Sequence, residues 1–134
     1  MFYLVFTERR SSVGKYVIKA TKNDGFKFDL KAGNGQVIAS SQVYKALKSC
    51  KGGIASVTVN AGIAATEDQT AEGFAKEKNP KFEIYTDTAG EFRFRIKAKN
   101  GQIIATSEGY KDMKSCLNGI ESIRKNAESP VEME

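Results

Sequence analysis

The sequence has no histidine and no tryptophan, and only two cysteines and two prolines among its 134 residues. The missing histidine excludes Ser–His and Cys–His nucleophilic pairs and every histidine metal site. Cys50 and Cys116 lie roughly 66 residues apart, which is no CxxC metal or redox motif. A small secreted scaffold carries more cysteines at framework spacings, so reduced thiols in a cytoplasmic protein are expected. Each cysteine falls on an apolar helical stripe. The reading is two buried structural thiols, with mutual contact near a pseudo-two-fold axis as the sharper alternative. No run of about 18 apolar residues is present, so no helix spans a membrane. No P-loop or dinucleotide fingerprint occurs, because the glycines serve turns and helices. No cofactor and no metal are expected.

What the chain does contain is a duplication. FKFDLKAGNGQVIASSQVYKALKSCKGGIASV is answered by FRFRIKAKNGQIIATSEGYKDMKSCLNGIESI. From Lys15 and from Lys81, roughly 21 of about 46 aligned positions are identical, without a gap. A unit this short rarely buries enough apolar surface to fold alone, so the two copies must share one core. The expected organisation is an N-terminal extension (1–14), repeat unit 1 (15–69), a linker (70–80) and repeat unit 2 (81–134), the two units forming one compact domain. The linker is polar, holds Gly73 and Pro80, and reads as exposed. Residues Phe2 to Phe6 precede Arg9-Arg10, the reverse of a secretory signal. This extension reads as an extra strand or a dispensable segment; a start codon assigned too far upstream also accounts for it.

Each copy opens with alternating residues, Tyr16-Val17-Ile18 and Phe82-Glu83-Ile84-Tyr85, which predict a strand. Asp24-Gly25 and Ala89-Gly90 mark a turn. Phe26, Phe28 and Leu30 then alternate with charged residues, as do Phe92, Phe94 and Ile96, so one strand face is apolar and the other solvated. Asn34-Gly35 and Asn100-Gly101 are hairpin signals of the type I′ kind, in which both residues take positive φ. Return strands follow at Gln36 to Ser40 and Gln102 to Thr106. The period then shifts to three or four. Tyr44, Leu47, Cys50, Ile54 and Val57 make one helical stripe; Tyr110, Met113, Cys116 or Leu117, Ile120 and Ile123 make the other. Asp112 suits a helix cap and Ala46 does not. Gly53 and Gly119 sit inside these helices at a cost of about 1 kcal/mol each relative to Ala, which predicts close approach of the helix backbone to the sheet or the other helix. A weak further strand is read after each helix, at Ile63 to Glu67 and Val131 to Met133.

The pattern F-x-F-x-[LI]-K-A-x-N-G-Q-x-I-A-[ST]-S, then a Tyr, then a helix ending G-I-x-S, resembles the YegP-like family of small prokaryotic proteins. The resemblance covers both copies, Lys15 to Met133. It implies an α+β fold in which two β-β-β-α-β units form one shared sheet about a pseudo-two-fold, with two helices on one face, and it leaves open whether the last strands are exchanged. It carries over no catalytic or ligand-binding residues.

The functional expectation follows from the residues that remain. Glu67-Asp68, Glu83, Asp87 and Glu91 read as solvated carboxylates rather than a desolvated acid–base pair. Tyr44 and Tyr110 read as helix-entry anchors. The excess positive charge sits on the repeats, about +6 and +3, against an acidic linker and tail. Lys27, Lys31, Arg93, Arg95, Lys97 and Lys99 could share one basic sheet face, with Lys45, Lys48, Lys111 and Lys114 bordering the helices. Such a face suits phosphates, but a single-strand platform needs exposed aromatics, and here only Tyr85 is a candidate. The first reading is a non-enzymatic cytoplasmic module of unknown role that acts through binding or protein interaction, a monomer with an internal pseudo-dimer or a homodimer, its partner unidentified. Nucleic-acid or anion binding through the basic face is the alternative.

Overall fold

The computed structural model describes residues 14–134; the expectations for residues 1–13 lie outside them. The described elements are β1 (Lys15–Ala20), β2 (Phe26–Lys31), β3 (Val37–Ser41), α1 (Leu47–Asn60), β4 (Ala65–Asp68), β5 (Lys81–Thr86), β6 (Phe92–Lys97), β7 (Ile103–Ser107), α2 (Met113–Asn126) and β8 (Val131–Met133). All eight strands join one sheet in the order β4-β5-β6-β7-β3-β2-β1-β8.

The three-strand meander of each unit arises from local signals. The first three strands of each unit run antiparallel. Their turns are three-residue loops. In the Asn34-Gly35 turn only Gly35 has positive φ, at 86°, and the second copy repeats this at Gly101, at 85°. The Gly35 N–H bonds the Ala32 carbonyl, and the Asn34 side chain accepts from the Gln36 N–H at 2.9 Å. This is a type I turn followed by a left-handed glycine, not the type I′ turn expected. The third loop residue lets the strands keep their twist while Asn stays in ordinary backbone. A register shift follows at Leu30/Lys31 and again at Ile96/Lys97. It buries two successive residues, Ile38 and Ala39 in one copy and Ile104 and Ala105 in the other.

Two pairings are not local. β3 and β7 join the units antiparallel, with Ser40 opposite Thr106. These two residues are equivalent in the repeat, so the pseudo-two-fold passes between them. The last strand of each unit leaves its own unit. β4 lies parallel on β5, and β8 lies parallel on β1.

Both helices cover one face of the sheet, each packing on strands of both units. Cys50, Ile54 and Val57 of α1, and Cys116, Ile120 and Ile123 of α2, meet the strand side chains Phe28, Leu30, Phe94 and Ile96. Leu117 is exposed, which resolves the second stripe in favour of Cys116. Tyr44 and Tyr110 precede the helices. Each pairs its backbone with the first residue of the middle strand, Phe26 or Phe92. Asp112 caps α2 by accepting from the Ser115 N–H at 2.8 Å, whereas Ala46 offers α1 no side-chain cap.

The helix glycines are explained by the sheet. A Cβ on Gly119 would lie 2.5 Å from the Tyr110 Oη and 2.9 Å from Phe94 Cε2; at Gly53 the contacts are Tyr44 and Phe28. Gly119→Leu should therefore destabilise by about 3 kcal/mol through overpacking, although leaving glycine improves helix propensity by somewhat under 1 kcal/mol. The check is a thermal melt; an unchanged midpoint would reject the packing account.

The units are also stitched at the helix ends. The Ala127 carbonyl accepts from the Tyr16 hydroxyl and from Thr58 Oγ1, both at 2.8 Å. At the equivalent corner, Arg124 lies 5.1 Å over the Phe82 ring and donates to the Ala61 and Ala64 carbonyls. The same orphan helix carbonyls find different donors in the two copies.

Candidate binding surfaces

The helix-free face of the sheet carries the charged residues of each strand, because side chains alternate across a pleat. Lys27 and Lys31 of β2 and Arg93, Arg95 and Lys97 of β6 do share this face. Lys99 instead lies in the β6–β7 turn. The face is not a free basic platform. Arg95 Nε meets Glu83 Oε1 at 2.7 Å, and Lys97 and Lys81 each reach Glu83 Oε2 at 3.2 Å. Arg93 Nε meets Asp87 Oδ2 at 2.7 Å. In unit 1, Lys19 meets Asp29 Oδ2 at 3.0 Å, and Ser40 donates to Asp29 Oδ1. Tyr85 does stand on this face, but the Arg95 guanidinium lies 4.6 Å over its ring. Arg93, Arg95, Lys97 and Tyr85 are therefore not left open for bases and phosphates. Lys27, Lys31 and Lys99 make no ion pair among the described residues.

The carboxylates are where the structure departs most from a solvated surface. Glu67 and Glu83 are each 2% exposed and sit opposite one another on β4 and β5. Lys81 stands between them, 2.8 Å from Glu67 Oε1. Gln69 Nε2 and the Glu77 N–H of the linker complete the Glu67 shell, both at 2.7 Å. Burial pushes the Glu67 carboxyl up, but the bonds from Lys81, Gln69 and Glu77 outweigh it and hold the pKa at about 2. Glu83 behaves alike: burial raises it, and Arg95, Lys81 and Lys97 bring it below the ordinary carboxylate range. Asp29 is raised by burial and lowered further by Ser40 and Lys19. A carboxylate locked in this way is a weak base, so the cluster is a fastening and not an acid–base pair. It ties β4 and the linker to unit 2. In unit 1 Val17 takes the place of Glu83, between Asp29 and Glu132 of the neighbouring strands, so no buried carboxylate pair forms there. Glu67 and Glu83 were hidden in the sequence because strand exchange and the linker, both non-local, are what bury them.

Both cysteines are free and buried. Burial pushes both thiols up, Cys116 to about 11 with help from the nearby Asp68 charge. Such thiols are inert.

Two clefts cross the boundary between the units. Asn34, Gln36 and Ile38 of unit 1 face Tyr110, Ser115 and Asn118 of unit 2 around about 260 Å³. Ser56, Val59 and Asn60 of unit 1 face Ala98, Lys99 and Asn100 of unit 2 around about 420 Å³. The pseudo-two-fold relates them. In the second cleft the Asn60 Oδ1 is buried and has no hydrogen-bond partner among the described residues.

Fold and surfaces together define a class: an internally duplicated β-β-β-α-β protein with exchanged terminal strands. A family model described as a domain of unknown function, DUF1508, matches residues 21–68 and again 87–132. The chain belongs to that family. It is 37% identical over 120 residues to the UPF0339 protein YegP of Yersinia pestis, covering 90% of this chain and 94% of the relative. A UPF0339 protein in the ptx operon 5′ region of Stutzerimonas stutzeri is 72% identical over 46 residues, 34% of this chain and 41% of that relative. The match thus spans less than half of that relative's length. The solution NMR structure of E. coli YegP superimposes with a TM-score of 0.75 at 31% identity, covering 91% of this chain and 93% of that one.

Proposed function

We propose that the protein is a non-catalytic cytoplasmic module that binds a protein partner through the two inter-unit clefts. The carrying observation is that each cleft takes one wall from each unit, so neither exists before the halves join. The first cleft is lined by amides, hydroxyls and apolar groups without a charge. The second is lined by the Asn60 and Asn100 amides with Ser56, Val59 and Lys99. A polar, uncharged segment of a partner, with its main-chain N–H groups, answers this chemistry. The locked carboxylates and inert thiols argue against catalysis. Free buried thiols fit a reducing compartment.

Asn118 and Val59 are exposed at these clefts, so a bulky residue fills the cleft without entering the core. Affinity capture with the wild-type chain should retain a defined partner after nuclease treatment. Asn118→Trp combined with Val59→Trp should release it while the melting temperature stays unchanged. Capture unaffected by both substitutions would reject the reading. The second reading, anion or nucleic-acid binding on the open face, draws on the net charge of +5 and on Lys27, Lys31 and Lys99. It takes over if retention vanishes with nuclease, falls steeply with salt, and is lost when Lys27, Lys31 and Lys99 become Ser.

A further inference from the structure

The two helices of the duplication differ on their outer faces. In and just after α2 the solvent positions hold Glu121, Lys125 and Glu128, the charged side of an amphipathic helix. The equivalent positions of α1 and its following turn hold Ala55, Val59 and Gly62, all exposed. Val59 is 65% exposed, and Ile63, one turn on, is 64% exposed. The Ala64 N–H bonds the Asn60 carbonyl at 2.9 Å, so the helical course continues and Val59 and Ile63 stand on one side. Charge is one-sided as well. From Leu30 to Thr66 the sequence holds neither Asp nor Glu, whereas the matching stretch of unit 2 holds Glu108, Asp112, Glu121, Glu128 and Glu132. On α1, Lys51 and Lys48 are exposed one and two turns before Ala55. Lys99 faces Ala55 and Val59 across the second cleft. These three lysines make no ion pair among the described residues.

We infer that this strip of α1 docks an acidic amphipathic segment of another protein, apolar on one face and edged with carboxylates. The inference rests on the reading of a protein partner at the second cleft, which shares Ala55 and Val59 with the strip. It adds the chemistry of the stretch that leaves that cleft: the uncharged part fills the cleft, and the acidic part lies along α1. Charge complementarity selects this occupant. Lysines flank the strip, and no carboxylate lines the adjoining cleft among the described residues. Acidic edges would be steered to these cations and held in register by them. A second copy fits poorly, because an isologous pair sets a patch against itself and lysine against lysine. A bilayer fits poorly too. The apolar surface is a narrow ridge beside a groove of about 420 Å³, a shape that receives side chains. Unit 2 has no such strip, because Glu121, Lys125 and Glu128 occupy its place.

The test is an NMR titration of the full chain with a synthetic helical peptide carrying Leu on one face and Glu along both edges. A counterpart with Lys in place of Glu, and vesicles of anionic phospholipid, are the comparison probes. The Glu peptide should shift the amide resonances of Lys51, Ala55, Val59 and Ile63. It should bind on the order of tenfold more tightly than the Lys peptide and lose that advantage at high salt. Ala55→Glu combined with Val59→Lys gives α1 the residues of its twin, so the melting temperature should hold while the shifts vanish. Asn118→Trp, confined to the first cleft, should leave peptide binding unchanged. Equal binding of both peptides, or no shift on α1, would overturn the inference. Binding of the vesicles in preference to the Glu peptide would overturn it in favour of a membrane surface, and a dimeric mass with the strip protected would do so in favour of a second copy. If the Glu peptide fails while the paired Trp substitutions still release a captured partner, the acidic segment is rejected and the cleft reading stands.

Discussion

Residues 75–134, expressed alone at low concentration, should show no cooperative thermal transition as a monomer. Excised, unit 2 loses β4 from the outer side of β5 and β3 from the outer side of β7. Its own β8 has no β1 to join. Phe82, Phe94, Ile96 and Ile104 lose the partners contributed by unit 1, and two sheet edges with their backbone groups open to water. A chain of about 60 residues buries only about 60% of its unfolded surface and is marginal even when intact. Removing half of the shared core takes it below that margin. Circular dichroism on heating, with the mass checked by light scattering, reads the outcome. A monomer that melts sharply would disprove the shared core; a folded dimer of the fragment would agree with it, since the second copy then supplies the missing strands.

Glu83→Ala should cost about 3 kcal/mol, because removing one partner of a buried ion cluster leaves the others uncompensated. Glu83 is the hub: Lys81, Arg95 and Lys97 all converge on its two oxygens. Without it three cations face the single carboxylate of Glu67. On a domain of this size the loss is a fall of roughly 10 °C in the melting temperature. The same cluster sets the acid limit of the fold. Glu67 and Glu83 have folded pKa values below the ordinary 4.5, Glu67 at about 2. A depressed carboxylate contributes its full stability above its unfolded pKa and loses it as pH falls through the folded value. Urea midpoints should thus hold from neutral pH down to about 4.5 and drop between there and about 2. Glu83→Ala should flatten that drop. Lys81 is shifted upward, chiefly by its bond to Glu67, so its share is lost only at alkaline pH. A wild-type midpoint that stays level from pH 4.5 to pH 2 would disprove the fastening role.

Much of the secondary structure was legible, because its causes lie close together in the chain. Phe26-x-Phe28-x-Leu30 and Phe92-x-Phe94-x-Ile96 announce half-buried strands by period, and the Tyr44 and Tyr110 stripes announce helices. Asp112 and Ala46 were separated correctly by cap chemistry. Even the unfavourable Gly53 and Gly119 pointed to a close contact, which the structure gives to Tyr44, Phe28, Tyr110 and Phe94. The Asn34-Gly35 pair marks the place of the turn but not its type, since Gly33 adds a third loop residue. Strand alternation puts the basic residues on the open side of the sheet, but it does not show that Arg93, Arg95 and Lys97 pair with acids six to fourteen residues away.

Sequence reading therefore suffices for whatever a span of a few residues controls: strand and helix periods, caps, and the duplication with its need for a common core. It cannot assign partners across long separations. The exchange of β4 and β8, the cleft walls drawn from opposite units, and the burial of Glu67 beside Glu83 arise from contacts between distant segments. Burial and pairing belong to the assembled sheet, and a carboxylate becomes a fastening only once that sheet has excluded water from it.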